Sequence, residues 1–164
     1  MSETIKALAV SRSVSVIYAD DIREEVAGKL TIVGVYQGNM IFPAFPAVVP
    51  KLAIFLTVTC SANDPFEKLS VRILKGQEPI FEKSLSEAEL QQLAMVSSSQ
   101  PDTTEPMMVE ANFLIVTGPI AIHERCVIRA EVLTENGMLP AKNLVIEAAQ
   151  GAAPTHQPEA KRDR

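Results

Sequence analysis

The sequence predicts an all-β protein, an antiparallel two-sheet β-sandwich with one short helical crossover at 86–96, and three observations carry that prediction. The first is a strict two-residue period in "KLAIFLTVTC" (51–60): Leu52, Ile54, Leu56, Val58 and Cys60 share one face, and Ala53, Phe55, Thr57 and Thr59 share the other. The second is punctuation, since turn residues recur roughly every 8–12 positions and divide the chain into about eight or nine short strands. The third is the core material. Hydrophobic residues make up 47% of the chain, yet there are only six Phe, two Tyr and no Trp. Val, Ile and Leu must fill the interior, and β-branched side chains suit a pleated surface. A partly open barrel is the alternative architecture.

The elements follow in order. From residue 13, Val14, Val16 and Tyr18 alternate with Ser13, Ser15, Ile17 and Ala19, as a strand requires. "KLTIVGVY" (29–36) is apolar on both faces and predicts a central strand covered on both sides. Gly38-Asn39 is a tight-turn signal that pairs "GNMIF" (38–42) with the strand before it. In "FPAFPAVVP" (42–50), Pro43, Pro46 and Pro50 cannot donate to a ladder, so an extended crossover between sheets is expected. Phe42 and Phe45 there either plug the end of the sandwich or form an exposed docking patch.

After the turn "SANDP" (61–65), "KLSVRILKG" (68–76) and "EPIFEKSL" (78–85) read as a hairpin. Ser86 with Glu89 three residues on forms a capping box, and Leu85 with Leu90 a hydrophobic staple, so a helix starts here and runs to 96. The polar stretch 97–106 is long enough to be mobile. "MMVEANFLIVTG" (107–118) resumes a strand, and two more strands meet at Glu135-Asn136-Gly137, with Cys126, Ile128, Ala130 and Val132 on the buried face. The expected organisation is an N-terminal arm (1–12), a sandwich domain (13–149) and an Ala/Pro/Gly-rich, charged, disordered tail (150–164).

Composition excludes several function classes. A net charge of −5 does not supply the basic excess that nucleic-acid binders use against phosphates. The terminal Lys161-Arg162-Asp163-Arg164 is read as solvated tail, not a binding arm. No stretch approaches the roughly 18–20 apolar residues of a membrane span, and the opening residues lack a signal peptide's apolar region. Cys60 and Cys126 are expected as two buried free thiols, with a single disulfide as the alternative. The expectation is a soluble cytoplasmic protein that contacts neither nucleic acid nor membrane.

The densest cluster of chemistry-bearing residues is "YADDIREEVAGKL" (18–30), with Asp20, Asp21, Glu24 and Glu25 around Arg23. A DDxxE-type stretch holds Mg²⁺ and diphosphate when it lines an all-helical cavity, and this chain has no helices to build one. Ca²⁺ suits loop carboxylates on a sandwich better, and Asn63 and Asp64 could join Asp20 and Asp21 if their loops share an end. The competing reading is structural. Asp20 or Asp21 caps a single helical turn, Glu24 or Glu25 sits in its first turn, and Gly28 provides the left-handed stop. A polar interaction surface built on Arg23, Glu24 and Glu25 is the third.

Gly28-Lys29 is no phosphate loop, because Leu30 replaces the required Ser or Thr and Arg23 stands at the first glycine position. His123, Cys126 and Cys60 could donate to Zn²⁺, but positions three apart on a strand point to opposite faces. With His156 in the tail, a Cys-His or Ser-His-Asp site has few members to draw on.

Asp20-Asp21-Ile22-Arg23-Glu24-Glu25, Gly28-Lys29, Gly34, Tyr36, Phe45-Pro46 and Pro50-Lys51-Leu52 together resemble the N-terminal half of a family of small bacterial proteins catalogued as a domain of unknown function. Gly118-Pro119 and the closing hairpin are also similar, so the resemblance spans about residues 15–150. It implies a β-rich domain without an established activity, and no catalytic residue carries over. The functional expectation is therefore a non-enzymatic interaction or structural module, without cofactor, serving an unknown protein partner or pairing with itself through a strand edge. The alternatives are a Ca²⁺-dependent binding module using Asp20, Asp21 and Asp64, or a small enzyme whose site the motifs do not reveal.

Overall fold

Alternation of apolar and polar residues becomes a pair of stacked sheets. The computed structural model describes residues 11–98 and 108–149. The first ten residues of the expected arm, the polar stretch beyond 98 and the tail 150–164 lie outside the described residues. Before the helix α1 (Glu87–Ser98) come β1 (Ser13–Glu24), β2 (Leu30–Tyr36), β3 (Asn39–Phe42), β4 (Ala47–Val49), β5 (Leu52–Ser61), β6 (Leu69–Lys75) and β7 (Glu78–Ser84). After it come β8 (Met108–Thr117), β9 (Ile120–Ile122), β10 (Cys126–Thr134), β11 (Gly137–Leu139) and β12 (Leu144–Ala148).

A four-stranded front sheet has the order β2-β1-β5-β8, and the back sheet has the order β3-β12-β10-β6-β7 with β11 also on β10. All neighbours are antiparallel except β3 and β12. The small β4-β9 pair closes one end of the sandwich, adding Val49, Ile120 and Ile122 to the core. The all-β sandwich read from the sequence is the fold.

The core lies between the facing sides. Val16, Tyr18, Ile54, Leu56 and Val58 point in from the front sheet; Val71, Ile73, Ile128, Val132, Leu144 and Ile146 meet them from the back. Every one of these positions follows the two-residue period. Tyr18 is buried, donates its hydroxyl to the Lys142 carbonyl at 2.9 Å, and has its pKa raised by that burial.

The helix spans the sheets as the sequence implied, leaving β7 of the back sheet and delivering the chain to β8 of the front. Its capping box forms: the Ser86 amide donates to Glu89 Oε2 at 2.7 Å, and the Glu89 amide donates to Ser86 Oγ at 3.4 Å. Leu90 and Leu93 pack against the core from this side. The β6–β7 hairpin and the crossover at 42–50 are also present, the latter carrying the short β4.

Three expectations are corrected. First, β2 is not a central strand but the edge of the front sheet, and most of it is exposed. Its outward apolar residues face no second layer, so a doubly apolar run marks an uncovered surface here and not a buried one. Second, Gly38-Asn39 does not turn β3 back onto β2. The turn redirects the chain to the back sheet, where the Gly38 carbonyl accepts from the Val145 amide at 2.8 Å and β3 runs parallel to β12. Third, the stretch after 118 holds four strands where two were expected. Pro140, with no amide hydrogen, ends β11 early and lets β12 form separately. Of the two thiols, Cys60 is buried and Cys126 only half-buried; both are free.

Candidate functional site

The acidic stretch is strand, not cap. β1 is hydrogen-bonded to β2 on one side and β5 on the other, and its pairing to β2 continues through Glu24. The ladder thus takes up Asp20 and Asp21 before any helical turn can start. A single helical turn does form at Val26–Gly28, but no side chain caps it. Gly28 is left-handed as expected (φ 72°), and Ala27 joins it at φ 66°. The Glu25 amide closes the hairpin on the Lys29 carbonyl at 2.7 Å.

Alternation then separates the two aspartates. Asp20 points to the core side but beyond the end of the core, where it accepts a hydrogen bond from the Tyr36 hydroxyl. Burial and that carboxylate push the Tyr36 pKa up to about 12. The register sets Gly34 opposite Asp20, and Gly34 has φ +67°. A Cβ there would overlap Asp20 Oδ2 and sit 2.6 Å from its Cγ. Gly34→Ala is therefore expected to lower stability by about 2 kcal/mol, partly backbone strain and partly displaced carboxylate. In an Asp20→Ala background the same substitution should lose only about 1 kcal/mol, read by urea denaturation as a double-mutant cycle. Equal losses in both backgrounds would remove the Asp20 contact from this account.

Asp21 points outward instead. It binds Lys51, its neighbour across to β5, and accepts from Arg23 Nε at 2.8 Å. Hydrogen bonds from Lys51 and then Arg23 hold its pKa down at about 2. Glu24 is exposed, and exposed Glu25 accepts from the Thr31 hydroxyl at 3.0 Å.

Asp64 is at the opposite end of the molecule. It pairs with Arg12, just ahead of β1, at 3.2 Å. Asp21 is roughly 30 Å further along the extended strand at about 3.3 Å per residue. Asp64 is thus far from Asp20 and Asp21, which themselves point to opposite faces of the front sheet. Among the described residues no three His, Cys, Asp or Glu side chains group to hold a metal ion. Phe42 and Phe45, the other interaction candidates, are half-buried against the core as end plugs.

What the sequence reading missed is the outer face of the front sheet. In register across the strands run Val35, Ala19, Ala53 and Val116, and next to them Ile17, Phe55 and Leu114. Val33, Val35, Leu114 and Val116 are 47%, 55%, 36% and 53% exposed. Ala19 and Ala53, at the centre of the first row, are fully buried; with Ile22 they form a small cluster separate from the main core, against which Ile32 and Phe55 pack. The outer side of an antiparallel sheet is ordinarily polar. Here the polar positions flank the apolar band: Asp21, Lys51 and Arg23 at one end, and Ser15, Thr57, Asn112 and Glu110 at the other. The signal was legible in "KLTIVGVY" and in Phe55, both of which carry apolar residues on the face away from the core.

A hollow of about 460 Å³ lies elsewhere, between α1 and the loop before β6, over Phe66, Leu85 and Leu90 with Glu67, Lys68 and Glu87 at its rim. No helix among the described residues is long and apolar enough to cross a membrane, a statement that leaves strands out of account.

No curated protein and no solved structure matches the chain. The profile of a family of unknown function, DUF6941, matches residues 14–147. That span takes in the sandwich from β1 to β12, and the chain belongs to this family.

Proposed function

We propose that this member of the DUF6941 family is a non-catalytic interaction module that docks a protein partner on the outer face of its front sheet. The observation that carries the reading is the set of apolar side chains left exposed on that face, Val33 and Val35 on β2 and Leu114 and Val116 on β8, on either side of the buried Ala19 and Ala53. Large apolar side chains exposed together on one face and flanked by polar groups mark interaction sites. The charged side chains nearby favour the same reading. Asp21, engaged by Lys51 and Arg23, is a paired group at one end of this face, while Asp20, on the other side of the sheet, is engaged by Tyr36, so the two do not converge on a cavity. The net charge of −5 favours a protein partner over nucleic acid. The free thiols Cys60 and Cys126 suit a reducing compartment such as the cytoplasm.

Charging the band tests this. Val35→Glu and Val116→Glu change exposed side chains and are expected to leave the fold intact. Met138→Glu, on exposed β11 of the back sheet, is the control. A partner captured by the immobilised chain from its native host, then purified and titrated by calorimetry, should bind both band variants at least about 30-fold more weakly and the control normally. Undiminished binding by both band variants would end the reading. So would turnover of a substrate that is abolished by a substitution far from this face.

A further inference from the structure

We propose that the hollow against α1 is the seat of this chain's own N-terminal segment, residues 5–10, docked in cis at a site separate from the front-sheet face. The first support is the wall. Leu85, Leu90 and Ala94 line the hollow half-buried, and Pro65 lines it exposed, so apolar surface is left uncovered in a space of about 460 Å³. That volume falls in the range of about 300–1,000 Å³ usual for binding pockets.

The second support is where the described chain begins. Arg12 donates to the Asp64 and Pro65 carbonyls at 3.4 and 3.1 Å, and its guanidinium lies 4.9 Å over the ring of Phe66. Pro65 and Phe66 are also part of the hollow's lining. Residue 10 therefore stands two positions from a side chain already seated on that wall. Six extended residues span about 20 Å, whereas the part of α1 that lines the hollow, 87–94, is about 10 Å long. The tether selects the occupant. A segment joined this closely is present at an effective concentration on the order of millimolar, which a free peptide or a second copy must supply from solution.

The third is sequence. Residues 5–10 are Ile5, Lys6, Ala7, Leu8, Ala9 and Val10, apolar but for one lysine. Val14 and Val16 of β1 face the core, and Arg12 continues their side over Phe66. The same two-residue period carries Val10 and Leu8 onto that side. Lys6 suits the rim, where Glu67 and Glu87 outnumber Lys68. The site is thus self-occupied, and an outside segment gains it only by displacing residues 5–10.

Methyl NMR of the full chain is the test. Nuclear Overhauser contacts are expected between the methyl groups of Leu8 and Val10 and those of Leu85, Leu90 and Ala94. In a mixture of isotope-labelled and unlabelled chains, these contacts should be absent between the two kinds of chain, as docking in cis requires. Ala94→Glu keeps a good helix former and puts a charge in the hollow; it should weaken docking at least about 10-fold and abolish the contacts. Gln92→Glu, exposed on α1 and outside the lining, should keep them. Core methyl shifts matching the wild type would establish that each variant is folded. If Ala94→Glu does not fold, the wild-type spectrum decides alone. A wild type without contacts between residues 5–10 and the wall overturns the proposal. Contacts found only between labelled and unlabelled chains overturn it too, since the occupant is then a second copy. So do contacts that persist in a folded Ala94→Glu chain.

Discussion

Replacing Gly118 by alanine should lower the stability of the fold by about 3 kcal/mol or more, among the largest effects of any single added methyl group in this molecule. Two causes act together. Gly118 has φ +145°, a backbone conformation that side-chain-bearing residues rarely adopt. Its missing Cβ also faces main chain: an added atom would overlap the Pro50 carbonyl oxygen and lie 3.0 Å from Lys51 Cα. At Gly34 the obstructing group is a side chain that can swing away. At Gly118 it is the start of β5, held in register against β8 by pairs running from Leu52–Thr117 to Ser61–Met108. Urea denaturation of Gly118→Ala and Gly34→Ala side by side should rank Gly118 as the costlier site. A loss under about 1 kcal/mol at Gly118 would show that the strand entry shifts freely. A domain of ordinary stability, ~5–15 kcal/mol, keeps folding through either loss, so both can be measured.

The second large effect is at the other end of β1. Arg12 is bound by Glu135, sits 3.2 Å from Asp64, donates to the Pro65 carbonyl at 3.1 Å and lies over the Phe66 ring at 4.9 Å. One guanidinium thus ties the start of β1 to the β5–β6 loop and the β10–β11 turn, using the planar fork that lysine lacks. Arg12→Ala should lower stability by about 2–3 kcal/mol. That is less than a fully buried pair would lose, because Glu135 keeps some contact with solvent. Arg12→Lys should recover only part of it.

The pH dependence separates this pair from simple packing. Burial alone would push the Glu135 carboxyl up, but hydrogen bonds from its own amide, from Arg12 and from the Lys68 amide outweigh burial and hold its pKa below the ordinary value. A carboxyl whose folded pKa is depressed stabilises the fold above its unfolded pKa, about 4.3 for glutamate. That stabilisation is lost as the pH falls through the folded value. The stability gap between wild type and Arg12→Ala should therefore be widest near neutral pH and narrow in acid. Glu135→Gln should show a smaller acid-induced loss than the wild type. A gap that stays constant from pH 7 to about pH 3 would mean that Arg12 acts only through its contact with Phe66.

Much of the sandwich was legible because local rules and tertiary structure agree. β5 has the clearest two-residue period and is the most fully buried strand of the front sheet. Ser86 and Glu89 announce α1, and the capping box forms. Legibility failed where a local pattern fits two environments. The run Leu30–Tyr36 looks the same whether covered or bare, since periodicity records which residues are apolar and not what faces them. Gly38-Asn39 marks a change of direction but not which strand receives the chain. At Asp20 and Asp21 the capping preference of aspartate was real, but cross-strand pairing with β2 and β5 overrode it. The outer band needed register as well as pattern. Val35, Ala19, Ala53 and Val116 come from four separate strands, and only their pairing brings them into one row.

The parallel pairing of β3 with β12 has a consequence for how the molecule is made. Asn39 to Phe42 wait for Val145 to Ala148, partners that leave the ribosome last among the described strands. During synthesis the front sheet can assemble once β8 has emerged, while the back sheet still lacks the strand that joins β3 to β10. Closing so long a loop puts the domain among slow folders, on a scale of milliseconds to seconds. Through that interval both β3 and the bare β2 are open to pairing with another nascent chain. Completion of this sandwich is therefore a late event, and the interval before it is when the protein is most in need of a chaperone.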